Sequence, residues 1–134
     1  MKVKYKKGYK YQLAEDYHIQ LSIFGIGVKS DYIKLDANGH LLIRKGYAWD
    51  GPSGPMIDTK TSMRGSLVHD AIYQLIREGH LPKSYRNYAD YMLKVIFFQD
   101  GMNKLRVLTA YWAVKYFAAY AADPKNKRAV VIAP

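Results

Sequence analysis

The period of the apolar residues changes once along this chain, and the stretch GYAWDGPSGP at residues 46–55 marks the change. Before it, side chains alternate with a period of two. After it, apolar residues recur at helical spacing. A strand period confined to the first half and a helical period confined to the second predict an α+β fold rather than an alternating α/β one. In residues 1–13 the odd positions carry Met1, Val3, Tyr5, Lys7, Tyr9, Tyr11 and Leu13, and the even positions carry Lys2, Lys4, Lys6, Gly8, Lys10 and Gln12. This reads as one strand with an apolar face and a lysine face. The same parity continues through Tyr17, Ile19, Leu21 and Ile23, until FGIGVKSD breaks it with glycines.

DYIKLDANGHLLIRK predicts a hairpin, and parity chooses its turn. A two-residue Asn38-Gly39 loop would set Ile33 against Arg44. A three-residue Ala37-Asn38-Gly39 loop sets Leu35 against Leu41 and Ile33 against Ile43, with Gly39 in the left-handed position such loops favour. The three-residue loop is the expectation. About four strands then form an N-terminal antiparallel sheet.

Three helices are predicted to follow and to pack on that sheet. The first carries Leu67, Val68, Ala71, Ile72 and Leu75 at helical spacing and stops at Gly79. The second starts after Pro82, with Ser84 as its cap, and stops at Gly101. The third is capped by Asn103 and ends before Pro124. The layout expected is one domain: sheet in 1–45, a Gly/Pro loop in 46–60, a helical part in 61–122 and a basic extended tail in 123–134. Residues 105–122 are mostly apolar, but Arg106 and Lys115 interrupt them, so a buried or amphipathic helix is expected and not a transmembrane one.

With 49% hydrophobic residues the chain has a core to build and is not disordered. No cysteine is present, so disulfides, thiolate metal sites and a cysteine nucleophile are excluded. The N-terminal charges have no apolar run behind them, and no secretory signal is expected. A net charge of +10 calls for an anionic ligand or surface. Specific nucleic-acid binding is not expected, because parity turns the tyrosines of residues 1–13 away from the lysines. Lys2, Lys4, Lys6 and Lys10 are the candidate anion surface, or else they blunt an edge strand.

The chemistry-bearing residues lie in LVHDAIY and RNYAD. His69 and Tyr73 share a helix face, while Asp70 sits about 100° round from His69. Arg86 and Asp90 have the same i,i+4 spacing. Imidazole beside carboxylate suits a divalent ion, or a general base with its orienting acid. The bland alternative has His69 bonding a loop carbonyl and Asp70 pairing with a lysine or arginine. In residues 46–55, Trp49 would anchor a tight loop that presents Asp50 and Ser53 toward the first helix. Asp50 could equally cap its own loop amides.

WDGPSGP, LVHDAIYQLIR, YRNYADYMLKVIF and YWAVKYFAAY, in that order, resemble a family of small phage and prophage proteins, domain of unknown function 1353. Its pattern is a D-G-x-S-x-P loop, an H-D-x-x-Y helix and an A-D helix, and the likeness covers about residues 46–120. The resemblance maps Asp50, Ser53, His69, Asp70, Tyr73 and Asp90 onto the family's signature positions. It implies that the three motifs meet in space and that the origin is phage or prophage. The order His40, His69-Asp70, then Asp90 or Asp100 is also similar to that of the HD-domain phosphohydrolases, but those are all-helical and His40 here ends a hairpin turn.

The functional expectation is hydrolysis of an anionic substrate, a phosphoester or cell-wall polymer, at Asp50, His69, Asp70 and Asp90. Ser53, Tyr73 and Arg86 would bind the substrate. A divalent metal on His69, Asp70 and Asp50 is the cofactor such a set would take. The rivals are a non-catalytic virion or host-envelope component and a module that binds an anionic host molecule or host factor. Host cytoplasm or the virion is the expected location.

Overall fold

The computed structural model describes the backbone of residues 3–6, 9–49 and 60–122, and the side chains of residues 11–49 and 60–116. The expected α+β order is present: β-strands first, then three helices. The chain divides into two compact units, residues 1–49 and 50–132.

Among the described residues the first unit holds seven short strands in two antiparallel sheets, where a single sheet of about four was expected. One sheet has the order β1 (Val3–Lys6), β2 (Tyr9–Leu13), β7 (Ala48–Trp49). The other has the order β3 (Tyr17–Gln20), β6 (His40–Ile43), β5 (Ile33–Leu35), β4 (Val28–Lys29). The run read as one strand over 1–13 is thus a hairpin, in which Val3 pairs with Leu13, Lys4 with Gln12 and Lys6 with Tyr9. Alternation alone cannot separate a thirteen-residue strand from two short ones that keep the parity, and strands of about 5–6 residues are the norm. The register shifts between Lys4 and Lys6. Lys2 lies outside the described residues, and the side chains of Lys4, Lys6 and Lys10 do too. β4 falls within the stretch read as a break.

The β5–β6 hairpin has the predicted register. Ile33 pairs with Ile43 and Leu35 with Leu41, and all four are fully buried. The Asp36 carboxylate accepts the amides of Asn38 and His40, each at 2.9 Å, which closes the turn. Gly39 takes φ 86°, and any side chain there would land on the Leu21 carbonyl. Parity also holds in β3, where Tyr17 and Ile19 are half-buried and His18 and Gln20 exposed. Trp49 is fully buried, with its ring 5.7 Å from Tyr11 and 6.4 Å from Tyr47. It anchors the end of β7.

The second unit contains α1 (Lys60–Arg77), a short 3-10 turn (Lys83–Tyr85), α2 (Arg86–Gln99) and α3 (Lys104–Ala122). Leu67, Val68, Ala71, Ile72 and Leu75 are all fully buried, as their spacing predicts. Both glycine stops are Schellman caps. At the end of α1, His80 N–H donates to Leu75 O at 2.8 Å and Gly79 N–H to Ile76 O at 3.0 Å. At the end of α2, Met102 N–H donates to Phe97 O at 3.0 Å and Gly101 N–H to Phe98 O at 3.1 Å. Asn103 caps α3, its Oδ1 accepting the Arg106 amide at 2.9 Å. Ser84 does not cap α2. The 3-10 turn absorbs it, and Tyr85 precedes the helix without a side-chain cap.

α1 and α2 run antiparallel and close together. The Arg64 guanidinium donates to Asp100 through Nε and Nη2, at 3.0–3.3 Å, and to Gln99 Oε1 at 3.0 Å. One residue on, Gly65 faces Phe97 so tightly that a Cβ would stand 2.5 Å from the Phe97 ring. This contact sets the spacing of the two helices. α3 packs on α2 through Val107, Ala110 and Val114 on its buried side. Lys115 Nζ donates to Asn87 Oδ1 at 3.2 Å, and Lys94 Nζ lies 4.7 Å from the Tyr111 ring centre. Among the described residues no helix is long and apolar enough to cross a membrane.

Candidate functional site

Along α1 a stripe of side chains recurs every four residues: Gly65, His69, Tyr73 and Arg77. The tight Gly65–Phe97 approach lets the next turn of α1 reach into α2, and the residue it meets is Asp90. Asp90 Oδ1 accepts His69 Nε2–H at 2.8 Å and Tyr73 O–H at 2.7 Å. The imidazole lies over the Tyr73 ring, centre to centre 4.3 Å at 29°. His69, Tyr73 and Asp90 are 5%, 2% and 2% exposed.

His69 bonds a carboxylate and not a loop carbonyl, and the carboxylate is Asp90 on the second helix, not its sequence neighbour Asp70. Asp70 is half-buried on the adjoining face of α1. Burial raises the Tyr73 hydroxyl above its ordinary range, and the bond to Asp90 and its charge push the same way; Arg86 opposes them. Tyr73 therefore works as a fixed donor. With Nε2 committed to Asp90, Nδ1 is the imidazole nitrogen left to accept a proton. The arrangement is an imidazole held by a buried carboxylate, which is itself held by a tyrosine.

Asp50 and Ser53 lie outside the described residues. Among the described residues no three His, Asp or Glu side chains are grouped to hold a metal ion. Of the set expected for a metal, His69 with Asp70 and Asp50, His69 turns its Nε2 to Asp90, and Asp50 is not among the described residues. His40 belongs to the first unit. It stands on strand β6, where its Nε2 is 2.9 Å from His18 Nδ1.

Arg77 was missed in the sequence, although its i,i+4 relation to Tyr73 was there to be read. It is 7% exposed, and its Nε is buried without a hydrogen-bond partner.

The fold and this site together define an α+β protein with a buried His–Asp–Tyr cluster between two antiparallel helices. No family model matches the chain, and no curated protein or solved structure does either.

Proposed function

We propose that the chain is a hydrolase acting on an ester bond of an anionic substrate, with His69 as general base. The observation that carries this reading is the double hydrogen bond onto Asp90 Oδ1, from His69 Nε2 and Tyr73 O–H. His69 Nδ1 takes a proton from water as the water oxygen bonds to the ester's phosphorus or acyl carbon. Asp90 balances the imidazolium that forms, and Tyr73 keeps Asp90 in place. The bond to the leaving oxygen then breaks, and that oxygen takes the proton from Nδ1. The net charge of +10 favours a negatively charged substrate, a phosphoester or an acidic cell-wall polymer. The three ordered motifs support a phage- or prophage-type protein, in the host cytoplasm or the virion.

A second reading has one observation in its favour. The same three side chains are at least 95% buried and tie α1 to α2, which suits a staple in a non-catalytic virion or envelope component. Hydrolysis of p-nitrophenyl phosphate, bis-p-nitrophenyl phosphate and a p-nitrophenyl carboxylic ester separates the two. The hydrolase reading expects turnover of at least one, reduced about 10²–10⁴-fold in His69→Gln. No turnover on any of the three, with His69→Gln lowering only the unfolding temperature, decides for the staple.

A further inference from the structure

Arg77 poses a problem that the cluster around Asp90 does not solve. A guanidinium is always charged and offers five N–H donors. Placing one in the interior is costly unless an acceptor meets it. Arg77 is 7% exposed, its Nε is sealed from solvent, and no acceptor reaches that atom. The acids nearby are used elsewhere. Glu78 Oε2 accepts Gln74 Nε2 at 3.1 Å, and Glu78 Oε1 lies 3.8 Å from His80 Nε2. Asp90 holds His69 and Tyr73.

The helix register adds a second observation. Going up α1, Arg64 meets Asp100, Gly65 meets Phe97, and His69 and Tyr73 meet Asp90. Continued by one turn, this antiparallel register brings Arg77 level with the first turn of α2, where Arg86 stands one turn before Asp90. Arg86 is half-buried at the first position of α2. The register thus brings two guanidiniums to the same end of the helix pair, and like charges brought close repel unless an anion lies between them.

We infer that Arg77 and Arg86 form an anion subsite that receives a phosphoryl group, one helical turn beyond Tyr73. Phosphate fits better than a carboxylate here, because its additional oxygens can meet two guanidinium forks at once. The inference rests on the hydrolase reading only for its purpose, to hold the charged part of the substrate while His69 works farther along the same stripe. Its test uses no turnover, so binding can fail while hydrolysis survives, and the reverse.

The experiment follows thermal unfolding of the full chain with inorganic phosphate, glycerol phosphate and dimethyl phosphate, each against sodium chloride at equal ionic strength. Wild type is compared with Arg77→Met and Arg86→Met. A ligand that binds only the folded chain raises its unfolding temperature in a saturable way. The expected result is such a rise for wild type, with the affinity about tenfold or more weaker in either variant. Strongest response to inorganic phosphate indicates a free-anion site, and strongest response to either ester indicates a substrate subsite. Arg77→Met without phosphate should unfold at the same temperature as wild type or higher, because an unpartnered buried charge has been replaced by an apolar chain of similar length. A phosphate response that survives in Arg77→Met overturns the inference. So does a wild-type response that chloride reproduces. A large loss of stability in Arg77→Met, whether or not phosphate is present, makes the guanidinium a structural group and overturns it as well.

Discussion

Replacing Tyr73 by phenylalanine isolates one bond of the buried cluster. The ring stays, and with it the stacking on His69 at 4.3 Å. What goes is the 2.7 Å bond to a carboxylate that is 2% exposed, leaving His69 as its one described donor. Hydrogen bonds to charged groups contribute about 1.5–3 kcal/mol net. The same loss is a sizeable part of the roughly 5–15 kcal/mol that holds a domain folded. With a urea dependence of about 1–3 kcal/mol per molar, the midpoint should fall by about 1 M at unchanged slope. Far-ultraviolet circular dichroism follows this, since it reports the helices that the bond joins. In an Asp90→Asn background the acceptor is neutral, and the same substitution should cost only about 1 kcal/mol. An unmoved midpoint, or an equal cost in both backgrounds, would refute the charged acceptor as the source of the stability.

Other outcomes follow from the same geometry. Gly65→Ala places a methyl group 2.5 Å from the Phe97 ring, so it should cost about 1–3 kcal/mol by overpacking, and Phe97→Leu should recover part of this in a urea titration of the double variant. The backbone amide of His40, and then that of Asn38, hold the Asp36 carboxyl below its ordinary value of 3.8. The hairpin thus gains stability from Asp36 above that pH and loses it on acidification through the lower folded value; a carbon-detected NMR titration should find this pKa below 3.8, and Asp36→Asn should flatten the acid limb of unfolding.

Much of the local structure was legible because it depends on neighbours in the chain. Parity placed Ile33 opposite Ile43, since a one-residue slip would have turned an arginine into the buried face. Gly79 and Gly101 ended helices where only a residue tolerant of positive φ can close the last turn. Asn103 capped α3 because its short acceptor reaches the third amide. The shared face of His69 and Tyr73 followed from helical spacing alone. The hairpin within residues 1–13 and the displaced cap at Ser84 were not legible, because parity survives a turn and a 3-10 turn can absorb a capping residue.

Which carboxylate His69 meets is a different kind of fact. Along the chain Asp70, its neighbour, was the carboxylate paired with His69, and Asp90 stood apart as a further site residue. The choice is made by the depth and register at which α1 and α2 pack, which depend on a missing side chain at Gly65 meeting the Phe97 ring and on the Arg64–Asp100 clamp. The same register takes Arg77, one cation among 21 basic residues, to a buried position where its Nε has no acceptor. Local rules wrote the helices and the hairpin; the meeting of Asp90 with His69 and Tyr73 is long-range, and only the packed helix pair decided it.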